Sequence, residues 1–529
     1  MKRPRLKFLL KVILTLAIIA GVYVAYRSIR NYYYEKQLAK VIARLDADEP
    51  GWQWEDRFAK LPKLSKEENA GEEIKAIMRL LTLDEYRNLL GRSEWSNGFN
   101  TFEISPLAEA NREFLKDHPN AMLPKLNSET MAKLIASSPC PEALQRARNL
   151  RQFPAGLFPH KYRPILAMSL LPDVQAVRNL VRLLSWNVAL ELEANRPESA
   201  ADDISTMLQV ARVFDQDPFT ICILVRSALV QMSCHATHRL LAHATRISPA
   251  TLKHLQDEFL REETLMISLP EIFRWERALN DHDLKLLYTG EYSLAGFLEQ
   301  IGNRYTSGPV ITKWVWLDDI LKKVYPRIVL GFWAEPHHFA KERVDQLNFY
   351  NRIIAWASSP EHQLLDHFKT MQQQGLGASP FVYKLPHVHG NGSKEDYQKD
   401  SYLGIDRTAR LMLTYRAHCR SIAAALAAER YRIEHNVWPT TWEQLSPQYL
   451  PNTLLDPFTG KPLILKTLPD GLIIYSVGYN GVDDGGKIFP TDKQFQGDIG
   501  YRLWNLESRQ VDMSKEFKVI EDEFKGDNE

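Results

Sequence analysis

Ala427-Ala-Glu-Arg-Tyr-Arg-Ile-Glu-His-Asn-Val-Trp-Pro-Thr-Thr441 ends one helical pattern and begins a different kind of chain. Upstream, Leu411, Tyr415, Cys419, Ile422, Leu426 and Ile433 recur at helical spacing, with Arg410, Arg416, Arg420, Glu429 and Arg432 on other faces. The alanines of Ala423-Ala-Ala-Leu-Ala-Ala428 favour helix and allow close approach of whatever packs behind it. Asp406 is read as the N-cap, Asn436 as a left-handed stop, and Pro439 bars continuation. Thr441 is placed to cap a short turn holding Trp442 and Leu445. Leu463-Ile-Leu465 and Leu472-Ile-Ile-Tyr475, split by Pro469-Asp-Gly471, predict a β-hairpin, and Tyr501-Arg-Leu-Trp504 a third strand. The second strand runs into Tyr475-Ser-Val-Gly-Tyr-Asn-Gly-Val-Asp-Asp-Gly-Gly486, a loop rich in carboxylates. Residues 406–510 therefore predict a small α+β module: a long helix plus a short antiparallel sheet.

The opposite end of the chain fixes its address. Lys2, Arg3, Arg5 and Lys7 in the basic segment 1–7 precede a run over 8–26 that is apolar apart from Lys11 and Thr15. As a helix this run spans about 28 Å, close to the hydrocarbon thickness of a bilayer. Lys11 can snorkel back to the basic end, and Tyr23, Tyr26, Tyr32, Tyr33 and Tyr34 suit the far interface. A cleaved signal peptide fits less well, since Ala20 and Ala25 have Ile18 and Tyr23 at the −3 position. The reading is an uncleaved anchor touching lipid through 8–26. The charge bias toward a cytoplasmic N-terminus is small, because Arg27, Arg30 and Lys36 follow.

Between these ends the pattern is helical. Residues 27–64 read as a juxtamembrane helix and connector, stopped by Asp46-Ala-Asp-Glu-Pro-Gly51 and followed by Trp52 and Trp54. Over 65–373 an irregular α-helical array is expected, with prolines dividing its first third into short helices. Val177, Leu180, Val181, Leu184, Val188 and Leu192 mark one amphipathic helix. Pro197, Pro218 and Ser248-Pro249 open the next three, and further helices are expected at 250–288, 313–330 and 334–373. Such helices need neighbours, so antiparallel hairpins follow, without a 34-residue repeat. Gly375, Gly377, Pro380, Pro386, Gly390 and Gly392 mark 374–405 as a linker, and 511–529 is a charged tail.

Composition limits the function. The chain of 529 residues is 45% apolar with a net charge of +1, which gives no electrostatic reason to expect nucleic acid. The four cysteines are scattered without a CxxC, and Cys222 and Cys234 read as small buried hydrophobes. His235 and His238 share a helix face with His243 nearby, His337-His338 follow a proline, and His387 and His389 fall in the linker. Each reads as an ordinary interhelical or solvated residue, and no HExxH, GxSxG, phosphate-binding or dinucleotide-binding motif is present.

In order, Tyr431-Arg, Trp438-Pro-Thr-Thr441, Leu445, Tyr449-Leu-Pro451, Asp456-Pro457, Gly460, Pro462, Tyr475-Ser-Val-Gly478, Asn480-Gly481, Gly485-Gly486 and Asp498-Ile499 resemble the G-type major pseudopilin of type II secretion. The match, with the helix before Tyr431, covers about 70–90 of the 529 residues. The resemblance implies a periplasmic module whose loop binds calcium, with Asp484, Asp498, Asn480 and Asp483 as ligands and Asp492 as a further carboxylate. Oxygen donors at loose geometry suit that ion. Asp-Glu-Pro-Gly-Trp52 and Glu68-Asn69-Ala70 resemble single-pass bacterial envelope proteins carrying such a tail. Three departures stand out: Asn480 replaces a carboxylate, the stretch from Gly486 to Asp498 is long, and the residues before the apolar run do not match a prepilin leader.

The expectation is a non-catalytic protein of the bacterial inner (cytoplasmic) membrane, single-pass, with its bulk in the periplasm. It would work as a scaffold or protein-interaction module among envelope proteins. An accessory part of a type II secretion or pilus-like apparatus, and an enzyme with a site in the helical domain, are the alternatives.

Overall fold

The computed structural model describes residues 3–81, 138–153, 156–169, 172–292, 336–373, 394–488 and 497–509, with Ala132, Ile135 and Ala136. The chain is mainly helical, with one small three-stranded sheet near its C-terminal end. Helix α1 (Arg3–Asp48) is long and apolar enough over its first part to cross a membrane, and no other described helix is. Its exposed apolar face, including Val12, Ile18, Val22 and Ile29, gives way after Tyr34 to a packed one. There Leu38 and Leu45 meet Ala340 and Leu347 of α10 (Pro336–Ala357). The apolar N-terminal helix thus continues without a break into the array, as the sequence from Glu35 to about Leu45 predicts.

Trp52 and Trp54 turn the chain into the array through α2 (Trp54–Ala59). Trp52 is 1% exposed, donates from Nε1 to Asp46 (2.9 Å) and carries the Arg277 guanidinium above its ring. Helices α3 (Ala70–Leu81) and α4 (Cys140–Arg148) follow, the second opened by Pro139 and Pro141. The array then runs through α5 (Pro172–Glu193), α6 (Pro197–Ala211), α7 (Thr220–His243), α8 (Pro249–Leu265) and α9 (Leu269–Thr289). Ser248 caps α8 by accepting the Thr251 N–H (3.0 Å), and Asn195 takes φ 56° where α5 stops. After α10 comes α11 (Leu364–Gln373). The helix expected at 313–330 lies outside the described residues.

Asp283 of α9 closes the chain leading into α5. Its carboxylate accepts the N–H groups of Leu166 (2.7 Å) and Ala167 (2.9 Å). Burial pushes its pKa up to about 6, although both hydrogen bonds pull the other way. The folded chain therefore holds this proton more tightly than the unfolded chain, whose value is near 3.8. Stability is expected to fall as pH rises from about 4 through about 6 and to level off above, by on the order of 2–3 kcal/mol. Asp283→Asn should flatten that slope in urea titrations at stepped pH; an unchanged slope would assign it to other groups.

The main departure from the sequence reading is the start of the last helix. Helix α12 runs Lys394–His435, so the last twelve residues of the expected linker, 394–405, are helical and Asp406 pairs with Arg410 inside it instead of capping it. A polar sequence does not itself break a helix, and the single Gly404 costs only about 1 kcal/mol. Residues 374–393 lie outside the described residues, as does the tail from 510.

Downstream the expectations hold closely. Asn436 takes φ 58°, and Thr441 forms a capping box with Gln444. Strands β1 (Ile464–Leu468), β2 (Gly471–Ser476) and β3 (Ile499–Trp504) pair antiparallel in the order β1-β2-β3. At the hairpin only glycine fits position 471, since a Cβ there would sit 1.9 Å from the Leu503 carbonyl oxygen. Strands β2 and β3 lie on one side of α12, and α7 and α8 pack against other sides of it. Ala423–Ala428 are all fully buried in that sandwich. One apolar core joins Val181, Leu208 and Leu252 of the array to Ile422, Leu472 and Leu503 of the module. The spine helix is thus a shared wall.

Candidate functional site

The loop after β2 brings the four expected ligands into one hydrogen-bonded turn. Asn480 Nδ2 donates to Asp484 Oδ2 (2.8 Å), and Asp498 accepts from the N–H groups of Asp484 (3.3 Å) and Gly486 (2.8 Å). Asp483 Oδ1 accepts from the Tyr475 hydroxyl (2.9 Å) and the Gly485 N–H (2.9 Å). Burial, with added repulsion from Asp483 and Asp484, raises the pKa of Asp498. Asp492 lies outside the described residues. The landmark Asp456-Pro457 has a physical reason as well. Asp456 accepts from Phe458 N–H (2.8 Å), Ser476 Oγ (2.9 Å) and Val477 N–H (3.0 Å), which fixes the end of β2.

The histidines singled out by spacing serve the junction with the sheet. His238 Nε2 donates to the Arg502 carbonyl (2.8 Å) and its ring stacks on Trp504. His235 lies against the ring of His418, whose Nδ1 meets the Tyr501 hydroxyl at 2.7 Å. His337 and His338 begin α10, and His387 and His389 lie outside the described residues. A cleft of about 280 Å³ at the array–module seam contains Arg420, but its charge is taken by Glu263 and Glu361, with the Leu455 carbonyl accepting a further bond.

Spacing gave no hint of the densest cluster of chemistry-bearing groups. His160, from the proline-bounded segment before α5, meets Asp217 and Cys222. Their ligand atoms lie within 4.8 Å of one another, the one such trio of His, Cys, Asp or Glu among the described residues. Asp217 precedes α7 and accepts the Phe219 N–H through Oδ1 (3.0 Å), and Cys222 follows in that helix's first turn. The Asp217 Oδ2 contacts His160 Nε2, and Cys222 Sγ lies 3.6 Å from the same nitrogen. The imidazole is 2% exposed, the carboxylate and the thiol not at all. Phe158, Tyr162 and Phe219 ring the imidazole with centroids 5.3, 6.0 and 5.6 Å away, and Trp54 of the connector packs on Tyr162 and Phe219.

This is not the geometry of a cysteine nucleophile. In a nucleophilic triad the thiol and the carboxylate use opposite nitrogens of the imidazole, whereas here both address Nε2. Burial, and then the negative Asp217, push the Cys222 thiol well above its ordinary value, the reverse of activation. The burial of Cys222 agrees with its reading as a small core residue; its polar company was not foreseen.

Comparison with protein-family models, curated proteins and solved structures returned no match to this chain.

Proposed function

We propose that this chain is a single-pass protein of the bacterial inner membrane that holds a helical scaffold and a pseudopilin-like module outside the cytoplasm for contact with other envelope proteins. The observation that supports the reading best is the double use of α12. Its alanine face is sealed between the sheet and the array, so the module is presented as a fixed surface and its spine is not free to pack with other copies. The direct run of α1 from its apolar part into contact with α10 supports a scaffold held at a set position over the membrane. Calcium in the loop, held by Asn480, Asp483, Asp484 and Asp498, belongs to the same reading. Burial, with a lesser part from Asp483 and Asp484, raises the pKa of Asp498, and a divalent ion would offset the crowding of these three carboxylates.

Crosslinking with mass spectrometry in intact cell envelopes tests the function. Recurrent crosslinks from the module face to other envelope proteins are expected, and the module should be cut by protease added to spheroplasts. Protection from that protease, or crosslinks confined to the chain itself, would overturn the assignment. Pseudopilus components among the partners would instead favour the apparatus reading. Millimolar calcium is expected to raise the melting temperature of the full chain, and no shift would remove the ion.

A further inference from the structure

We infer that His160, Asp217 and Cys222 form a binding site for a divalent transition-metal ion of the zinc class, which pins the segment before α5 to the start of α7. Charge is the first ground. Buried Asp203, Asp281, Glu262 and Glu429 are each met by an arginine, through Arg148, Arg343, Arg226 and Arg509 respectively, while Asp283 and Asp456 are held by two and three N–H or hydroxyl donors. Asp217 is equally buried, yet among the described residues its only ion-pair partner is the His160 imidazole. A buried carboxylate demands compensation. A divalent ion bound by one carboxylate, one thiolate and one neutral imidazole gives a cluster of zero net charge.

Valence is the second ground. His160 Nε2 carries either one proton or one lone pair, so it serves Asp217 or Cys222 through a hydrogen bond, and the thiol otherwise turns to the Asp217 carboxylate. One ion placed among the three donors engages all of them. A tetrahedral zinc centre puts its nitrogen and sulfur ligands about 3.6 Å apart, and the observed separation is 3.6 Å; the Asp217 Oδ2, now in hydrogen-bond contact with the same nitrogen, must draw back to about 3.4 Å for the ion to enter. The mixed N, O and S donor set suits zinc or cobalt and is wrong for calcium or magnesium, which take oxygen. As the sulfur–metal bond forms, the thiol proton leaves to buffer and coordinated waters leave the ion.

The test uses the full chain in detergent, stripped by chelator and titrated with cobalt(II). One equivalent is expected to produce a thiolate-to-cobalt charge-transfer band, and zinc should displace it. Cys222→Ser should abolish the band with the helical circular dichroism kept, and Asp217→Asn should weaken affinity by more than about a hundredfold, beyond what an outer partner contributes. Cys140→Ser, whose thiol is buried elsewhere, should leave the band intact. If Cys222→Ser fails to fold, zinc-edge X-ray absorption of the wild-type chain must show one sulfur among the ligands. Absence of the band from folded wild-type protein, its survival in folded Cys222→Ser, or a ligand shell with no sulfur or several would overturn the site.

Discussion

Arg509→Ala is expected to lower the unfolding free energy of the entire chain by about 3 kcal/mol. The guanidinium is 1% exposed along its side chain and makes four hydrogen bonds just past β3. It reaches Glu429 of α12 through Nη1 (2.9 Å) and Nη2 (2.7 Å), the Trp504 carbonyl (2.9 Å) and the Ala244 carbonyl at the end of α7 (2.9 Å). One residue therefore ties sheet, spine and array. Arg432 keeps a bidentate hold on Glu429, so truncation leaves that carboxylate partly compensated and the loss stays below the upper range for a broken buried pair. Burial alone would raise Glu429, but the bonds from Arg432 and Arg509 hold it below the usual value. Arg509→Lys should recover less than half of the loss, since an ammonium lacks the planar fork. Chemical denaturation followed by circular dichroism reads both variants; a loss under about 1 kcal/mol would show that the clamp is idle.

A comparable loss, about 3–5 kcal/mol, is expected for Arg226→Ala, because removing one partner of a buried network strands the others. Arg226 on α7 binds Glu262 of α8 (2.7 Å), Asp215 (2.6 Å) and the hydroxyl of Tyr415 on α12 (3.2 Å). Tyr415 in turn donates to the Glu262 carbonyl (3.0 Å). Replacing Arg226 by Met and Glu262 by Gln together should cost less than the sum of the single changes, since that pair is then removed as a whole; Asp215 still loses its arginine, and Arg212 keeps Glu258. Strict additivity in that double-mutant cycle would mean the two groups act separately.

Both clamps join elements that the sequence presents as separate units, and this is where its legibility ends. The apolar N-terminal helix, the helices from α5 to α9, the hairpin and the left-handed stop at Asn436 are local events. Periodicity, proline and a cap residue carry them. The division at 374–405 rests on glycine and proline between 375 and 392, whereas the polar residues from Lys394 onward continue a helix. That the array covers a second side of this helix was visible only as a continuous alanine run, which permits close packing without naming the neighbour. The set Asn480, Asp483, Asp484 and Asp498 comes from the resemblance to the pseudopilin loop, and three of the four lie within five positions. His160 and Cys222 are 62 positions apart, and only the fold makes them neighbours. The prolines around His160, read as breakers, gave the one hint that this segment is held by something other than helix.

Native-state hydrogen exchange of the full chain under rising denaturant tests the shared wall most directly. The amides of Ala423–Ala428, of β2 and of the middle of α7 are expected to converge on a single opening free energy, with Arg509→Ala lowering all of them together. Exchange of the spine and sheet at denaturant concentrations where α7 stays protected would contradict it and leave the C-terminal module a separate domain.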